Sequence, residues 1–173
     1  IISSFSIKQI ANLSTATVAN LKSADVDAMS TGQIAALSST QLNALSTAAV
    51  NSLDSTQISA ISAKAVIGLT VTQLAAIESA QFAGLTASQV TALSTDQFNA
   101  LSSSVIALLD TKQVAGMTSA QVATLSSAEL NSFDTAEIAV LSTAALAGID
   151  STTLASLSTG NFAALTSGQI AKL

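Results

Sequence analysis

The chain has 173 residues, of which 9% are charged against about 25% in ordinary domains, and arginine, histidine, cysteine, proline, tryptophan and tyrosine are all absent. Its net charge is −5, and its five cations, Lys8, Lys22, Lys64, Lys112 and Lys172, are scattered along the whole length, so no basic stripe exists to follow a nucleic-acid backbone. Without cysteine there is no disulfide framework and no thiolate metal site, and apolar runs such as Ala65–Leu69 and Val105–Leu109 fall far short of the roughly 20 residues that span a bilayer.

The opening Ile-Ile-Ser-Ser lacks the basic start and apolar segment of a signal peptide, and reads as the edge of a window cut from a longer array. From Phe5 onward an apolar residue returns every eight positions. The series runs through Leu13, Leu21, Met29, Leu37, Leu45, Leu53, Ile61, Leu69, Ile77 and Leu85. It continues through Leu93, Leu101, Leu109, Met117, Leu125, Phe133, Leu141, Ile149, Leu157, Leu165 and Leu173. That makes 21 complete octads over residues 5–172 with no insertion or deletion, and residues 1–173 read as one octapeptide-repeat solenoid.

Numbering each octad from this residue, position 6 is also apolar throughout, position 2 is Ser, Thr or Asp in 19 of 21, and position 5 is Gln or Glu in 13 of 21. Ser, Thr or Asp followed three residues later by Gln or Glu is a capping box: the first side chain accepts from a first-turn amide and the second accepts from the cap's own N–H. The pairs Ser38/Gln41, Thr86/Gln89, Thr118/Gln121, Ser126/Glu129 and Asp134/Glu137 show it, in chain order. Positions 1 and 6 then become the two members of a hydrophobic staple. The matching core pairs are Leu37/Leu42, Leu85/Val90, Met117/Val122, Leu125/Leu130 and Phe133/Ile138. Nine of the ten acidic residues, all but Asp27, lie at the cap or in the first turn, where the helix dipole favours them.

Each octad thus encodes a helix start, with a helix expected over roughly five to seven residues from position 3 to about position 1 of the next octad. A single continuous helix fails, because eight residues advance about 800° and the leucine stripe would drift about 80° per octad. A β-solenoid is disfavoured by the abundance of Ala and Gln and the scarcity of Gly and Asn for corners. The expectation is an all-α fold: an α-solenoid of very short helices, one capped helix per octad, coiled into an elongated rod. Two buried aliphatic side chains supply roughly 3–6 kcal/mol per octad, less than the roughly 8 kcal/mol needed to order eight backbones, so stability has to come from stacking on neighbouring turns. Small Ala and Gly at positions 7 and 8 suit close packing, and Gly68, Gly84, Gly116 and Gly148 all occupy position 8 of even-numbered octads.

No residue reads as catalytic, cofactor-binding or metal-binding. The serines have no histidine and no patterned lysine to activate them. The acidic groupings Asp25/Asp27 and Glu129/Asp134/Glu137 are, apart from Asp27, already in cap or first-turn slots. Phe82, Phe98 and Phe162 replace aliphatics at position 6 and read as core. Position 3 is Ser or Thr in 17 of 21 octads, which predicts a hydroxyl ladder along the rod; solubility and neutral first-turn chemistry account for it, and the sharper reading is a regular face for glycan, ice or surface binding.

The units Leu-Ser-Ser-Thr-Gln-Leu-Asn-Ala (37–44), Leu-Thr-Ala-Ser-Gln-Val-Thr-Ala (85–92) and Met-Thr-Ser-Ala-Gln-Val-Ala-Thr (117–124) resemble the L-[ST]-x-x-Q-[IV]-x-[AG] tracts of giant bacterial secreted and cell-surface, adhesin-like proteins. The resemblance implies an extracellular or cell-surface location and a role in surface structure or attachment. The functional expectation is a non-enzymatic structural rod, stalk or filament that associates with itself end to end or laterally. An adhesive module using the Ser/Thr ladder is the alternative.

Overall fold

Each octad folds as its capping signal dictates. Position 2 is extended (Ser38 at φ −80°, ψ 166°) and helix begins at position 3. In the computed structural model, which describes residues 1–173, a single 3-10 turn at Ile2–Ser4 is followed by 21 short helices and no strand. They run from α1 (Ile7–Ala11) to α21 (Ser167–Ile170), one per octad.

The helices are shorter than the octad pattern predicts. They span four to six residues and end at position 6, 7 or 8, so position 1 lies outside the helix. The cause is the corner itself. Position 1 turns its N–H back onto the position 6 carbonyl three residues earlier, as in Leu13 to Ile10 at 3.1 Å and Leu101 to Phe98 at 3.1 Å. Its own backbone can then be extended, as at Leu45 (φ −63°, ψ 144°) and Leu93 (φ −61°, ψ 134°). The corner after Leu130 departs from this rule. Phe133 is extended there (φ −68°, ψ 142°), but its N–H makes no bond back to the Leu130 carbonyl. Two consecutive extended residues make such a corner, and no residue has positive φ. The corner therefore needs no glycine or asparagine, which is why those residues are rare there.

The octads coil so that nearly every helix lies on the one three octads before it, α16 and α19 being the exceptions. This makes three columns. One contains α2 (Thr15–Ala19), α5 (Ser39–Ala44), α8 (Ala63–Val66), α11 (Ala87–Ala92), α14 (Thr111–Ala115), α17 (Thr135–Val140) and α20 (Thr159–Ala163). A second runs through α3 (Ser23–Asp27), α6 (Thr47–Val50), α9 (Val71–Ala75), α12 (Thr95–Asn99), α15 (Ser119–Val122), α18 (Thr143–Leu146) and α21. The third joins α1, α4 (Thr31–Ala35), α7 (Ser55–Ala60), α10 (Ser79–Phe82) and α13 (Ser103–Ile106).

Positions 1 and 6 point into the coil and supply most of one continuous apolar cluster of 39 buried residues, which also takes in Ile2 and the position 5 side chains of Ala49, Ala65, Val105 and Ala145. The expected core pairs Leu37/Leu42, Leu85/Val90, Met117/Val122, Leu125/Leu130 and Phe133/Ile138 all lie within it. Leu130 keeps its buried place although the corner bond to its carbonyl is missing, so side-chain packing and corner closure are separate matters. Phe82 and Phe98 are fully buried, whereas Phe162, expected in the core, is 52% exposed because no further turn packs over it.

At three of the four position 8 glycines, adjacent turns touch backbone to backbone. A Cβ added at Gly68, Gly84 or Gly148 would collide with the carbonyl of Ser39, Ser55 or Ser119, respectively, each at position 3 of the octad three before. These glycines are required by close approach, not by an unusual φ.

Candidate functional site

The site with the most built chemistry is the interface between successive turns. Of the 97 backbone hydrogen bonds, 23 lie within helices and the other 74 join residues three or four apart. None crosses from turn to turn. Polar cohesion along the solenoid therefore depends on side chains alone.

The capping residues occupy this interface. Ser38 N–H donates to Gln41 Oε1 at 2.8 Å and Gln41 N–H donates to Ser38 Oγ at 3.2 Å. Thr86 and Gln89 repeat the exchange at 2.7 and 3.3 Å, and Thr118 and Gln121 at 2.9 and 3.2 Å. Ser126 with Glu129 gives 2.9 and 3.3 Å, and Asp134 with Glu137 gives 2.8 Å both ways. At α3 only half of the box forms: Asp25 accepts from Lys22 N–H at 3.1 Å, and an ammonium cannot accept in return.

A capping box leaves the glutamine NH2 free, and the structure gives it a second task. Gln41 Nε2 donates to the carbonyls of Ile10 and Leu13, both at 2.9 Å and 31 and 28 residues earlier. Gln73 does the same to Leu42 and Leu45, Gln89 to Ile58 and Ile61, Gln121 to Val90 and Leu93, and Gln169 to Ile138 and Leu141. Gln113 reaches Leu85, and Asn161 substitutes with a shorter arm onto Phe133 at 3.0 Å. That shorter arm leaves the Leu130 carbonyl, 31 residues before Asn161, without the second amide contact that Ile10, Leu42 and Val90 receive. The position 1 carbonyl accepts no backbone hydrogen bond in any octad, so its partner, where position 5 of the octad 28 residues on carries an amide, is that cross-turn amide. These glutamines are buried, and every buried side-chain polar atom is paired. One amide thus closes a helix start and clamps the previous turn. Helix stacking at three octads and amide reach at 28 to 31 residues set the superhelical turn between three and four octads.

Sequence reasoning found the box and missed the clamp. The signal was present in the ratio at position 5, eleven Gln against two Glu. A capping box accepts either residue, but only the neutral amide carries donors.

Glu129 and Glu137 are the two exceptions. Burial pushes the Glu129 carboxyl up, but hydrogen bonds from the Ser126 N–H and hydroxyl and from the Ser103 hydroxyl outweigh this and hold it below its ordinary value. Glu137 is raised: burial comes first, and although the Asp134 N–H pulls the other way, the Asp134 and Asp110 carboxylates add to the rise. Asp150, fully exposed, is lowered by the Thr153 N–H and hydroxyl that it caps.

The position 3 side chains are only partly free. Ser39, Thr47, Ser55 and Ser127 are half-buried between turns, and the Ser23 hydroxyl donates to the Ala48 carbonyl 25 residues on, at 3.0 Å. Positions 2, 4 and 7 form most of the outer surface. No group of three or more His, Cys, Asp or Glu side chains is placed to hold a metal ion, and no helix is long and apolar enough to cross a membrane.

No curated protein matches the chain. The model of the ALTTAQ repeat matches four stretches, residues 3–39, 34–71, 74–111 and 95–127. Those six letters run from position 8 to position 5 of the octad, as in Gly116-Met117-Thr118-Ser119-Ala120-Gln121, and end on the residue that clamps one turn to the next. Together the matches cover well over half of the sequence, and the chain belongs to the ALTTAQ repeat family.

Proposed function

We propose that this repeat protein is a length of extracellular rod, stalk or filament on or outside a bacterial cell, with a structural and not a catalytic task. The observation that carries the reading is the turn-to-turn bond. Near both ends of the array, at Gln33 and at Gln169, the same amide meets carbonyls at the same 28- and 31-residue offsets. Such an interface is open-ended, since every turn offers the next one the surface it has itself received, and nearest-neighbour stacking of this kind sets no limit on length. The position 2 Ser, Thr and Asp side chains are engaged at helix starts, as at Ser38, Asp54, Thr86 and Asp134.

Self-association belongs to the same reading. Phe162, Ile170 and Leu173, each about half exposed, lie where a further turn of the same repeat would pack, whether it belongs to this chain or to a second copy. Cryo-electron microscopy of the native material and sedimentation of the purified array test both points. Continuous fibres, with association that grows with concentration, are expected; a monodisperse monomer at high concentration refutes the filament and leaves a spacer. The location is tested by protease treatment of intact cells, which is expected to remove the rod while cytoplasmic markers survive.

An adhesive module is the second reading. It draws on the shallow groove where Thr15, Ser39, Thr40 and Asn43 set hydroxyls and an amide side by side. Replacing the exposed position 3 hydroxyls of one column by Glu is expected to abolish glycan-array or surface binding with helicity intact; binding that persists rules the groove out.

A further inference from the structure

The cross-turn clamp is not uniform, and its gaps are unevenly placed. Ala49, Ala65 and Val105 interrupt it singly, leaving the carbonyls of Leu21, Leu37 and Ile77 without an amide while the octads beside them keep theirs. From octad 16 to octad 19, covering α16 (Ser127–Ser132), α17, α18 and α19 (Ser151–Ala155), position 5 is Glu129, Glu137, Ala145 and Thr153. None of them can complete the bond. The ionised carboxylates have no proton to donate, alanine has no polar atom, and Thr153 directs its hydroxyl to Asp150 at 3.1 Å.

Four octads in a row amount to a full turn. The carbonyls of Leu101, Leu109, Met117 and Leu125, which face these positions at the 28-residue offset, accept no hydrogen bond from any backbone or side-chain group. Among side-chain bonds, only Ser103 Oγ to Glu129 Oε1, at 2.8 Å, crosses this boundary. The third column weakens from the same level onward: α10 packs on α13, but α13 with α16, and α16 with α19, make at most a marginal backbone contact. The open corner between Leu130 and Phe133 lies on the same turn. What holds the boundary is apolar packing of α14 on α17 and α15 on α18. Beyond it the clamp resumes with Asn161 and Gln169.

We infer that the solenoid carries one preferred opening plane, between the turn of residues 98–125 and the turn of residues 129–153, where the rod bends or parts before it does so elsewhere. The fold supplies the reason. With no backbone bond between turns, local opening at any level costs the apolar contact plus the amides that cross it. Here the amide share is missing around the whole circumference. The inference concerns the solenoid itself and stands whether or not the rod is extracellular.

Native-state hydrogen exchange of the full chain, read by mass spectrometry at low denaturant, tests it. Peptides within residues 98–153 are expected to exchange by local opening about tenfold faster than peptides within residues 54–97. The Glu129→Gln/Glu137→Gln double variant, nearly isosteric and able to keep both caps, is expected to recover about that factor. Gln97→Glu is expected to speed exchange at its own level instead. Uniform protection along the wild-type chain overturns the inference. So does fast exchange that the double variant leaves unchanged, which would mark simple fraying from the nearby C-terminal turn.

Discussion

Residues 37–97 and residues 98–153 follow the same octad and differ in what fills position 5. In the first region Gln41, Gln57, Gln73, Gln81, Gln89 and Gln97 cap their own helices and reach carbonyls of the preceding turn. In the second, Ser126/Glu129 and Asp134/Glu137 cap equally well, but the clamp stops at Gln121. Helix initiation and turn cohesion are therefore separable. A carboxylate satisfies the first, and only an amide satisfies both.

The hardest way to break the well-clamped region is through its glycines. In Gly84→Val the new Cβ meets the Ser55 backbone, which has no flexible end to give way. The loss is expected to be about 3 kcal/mol or more, read as a fall in urea midpoint. The control is Gly168→Ala, where nothing lies near the new methyl, and a gain of about 0.5–1 kcal/mol is expected from helix propensity alone.

Next in size is the clamp. Gln73→Ala leaves the Thr70 N–H without its cap and the Leu42 and Leu45 carbonyls without their amide, all at part-buried or buried positions. About 2–3 kcal/mol is the expected cost. Gln73→Glu keeps the cap and loses the donors, so the difference between the two variants measures cohesion apart from initiation. Equal losses would mean that the clamp contributes nothing and that the two regions differ only in name. A smaller change, Ser62→Ala, removes the acceptor of the Ala65 N–H in an octad with no clamp and is expected to cost about 1 kcal/mol.

How much of this was legible in the sequence follows from which interactions are local. Caps, helix starts and the inward faces of Leu42, Val90, Leu130 and Ile138 are set within eight residues, and the octad displays them. The helix ends were not legible, because nothing in the residue types says that Leu45 or Leu93 will turn its N–H three residues back and leave the helix early. Nor does anything in them say that Phe133 will leave the Leu130 carbonyl unused. The clamp lies between: its partners stand 28 and 31 residues away, an offset no local pattern reveals, yet the preference for Gln over Glu records it. The contact beneath Gly84 spans 29 residues in the same way, and only the presence of glycine in a helix-rich array hinted at it.

The smallest expected effect is also the finest test of the comparison, because it asks whether the two glutamates respond to acid in opposite senses. Glu137 lies above the ordinary value of 4.5: burial comes first, with the Asp134 and Asp110 carboxylates adding, against an opposing bond from the Asp134 N–H. Of the elements packed on α17, α14 also brings Lys112, and α20 brings no charged residue. A carboxyl raised on folding binds its proton more tightly in the folded state, so its contribution to stability is full below the unfolded value and is lost as pH rises through the folded one. Glu129 lies below 4.5, because its bonds from Ser126 and Ser103 outweigh burial; its contribution is full above the unfolded value and is lost as pH falls through the folded one. In the wild type the two slopes oppose each other. Urea midpoints from about pH 3.5 to about pH 6 are therefore expected to rise more steeply with pH in Glu137→Gln than in the wild type, and less steeply in Glu129→Gln. Slopes that shift in the same direction would show that the two carboxylates sit in equivalent surroundings, with the Ser103 bond to Glu129 contributing nothing across the boundary between turns.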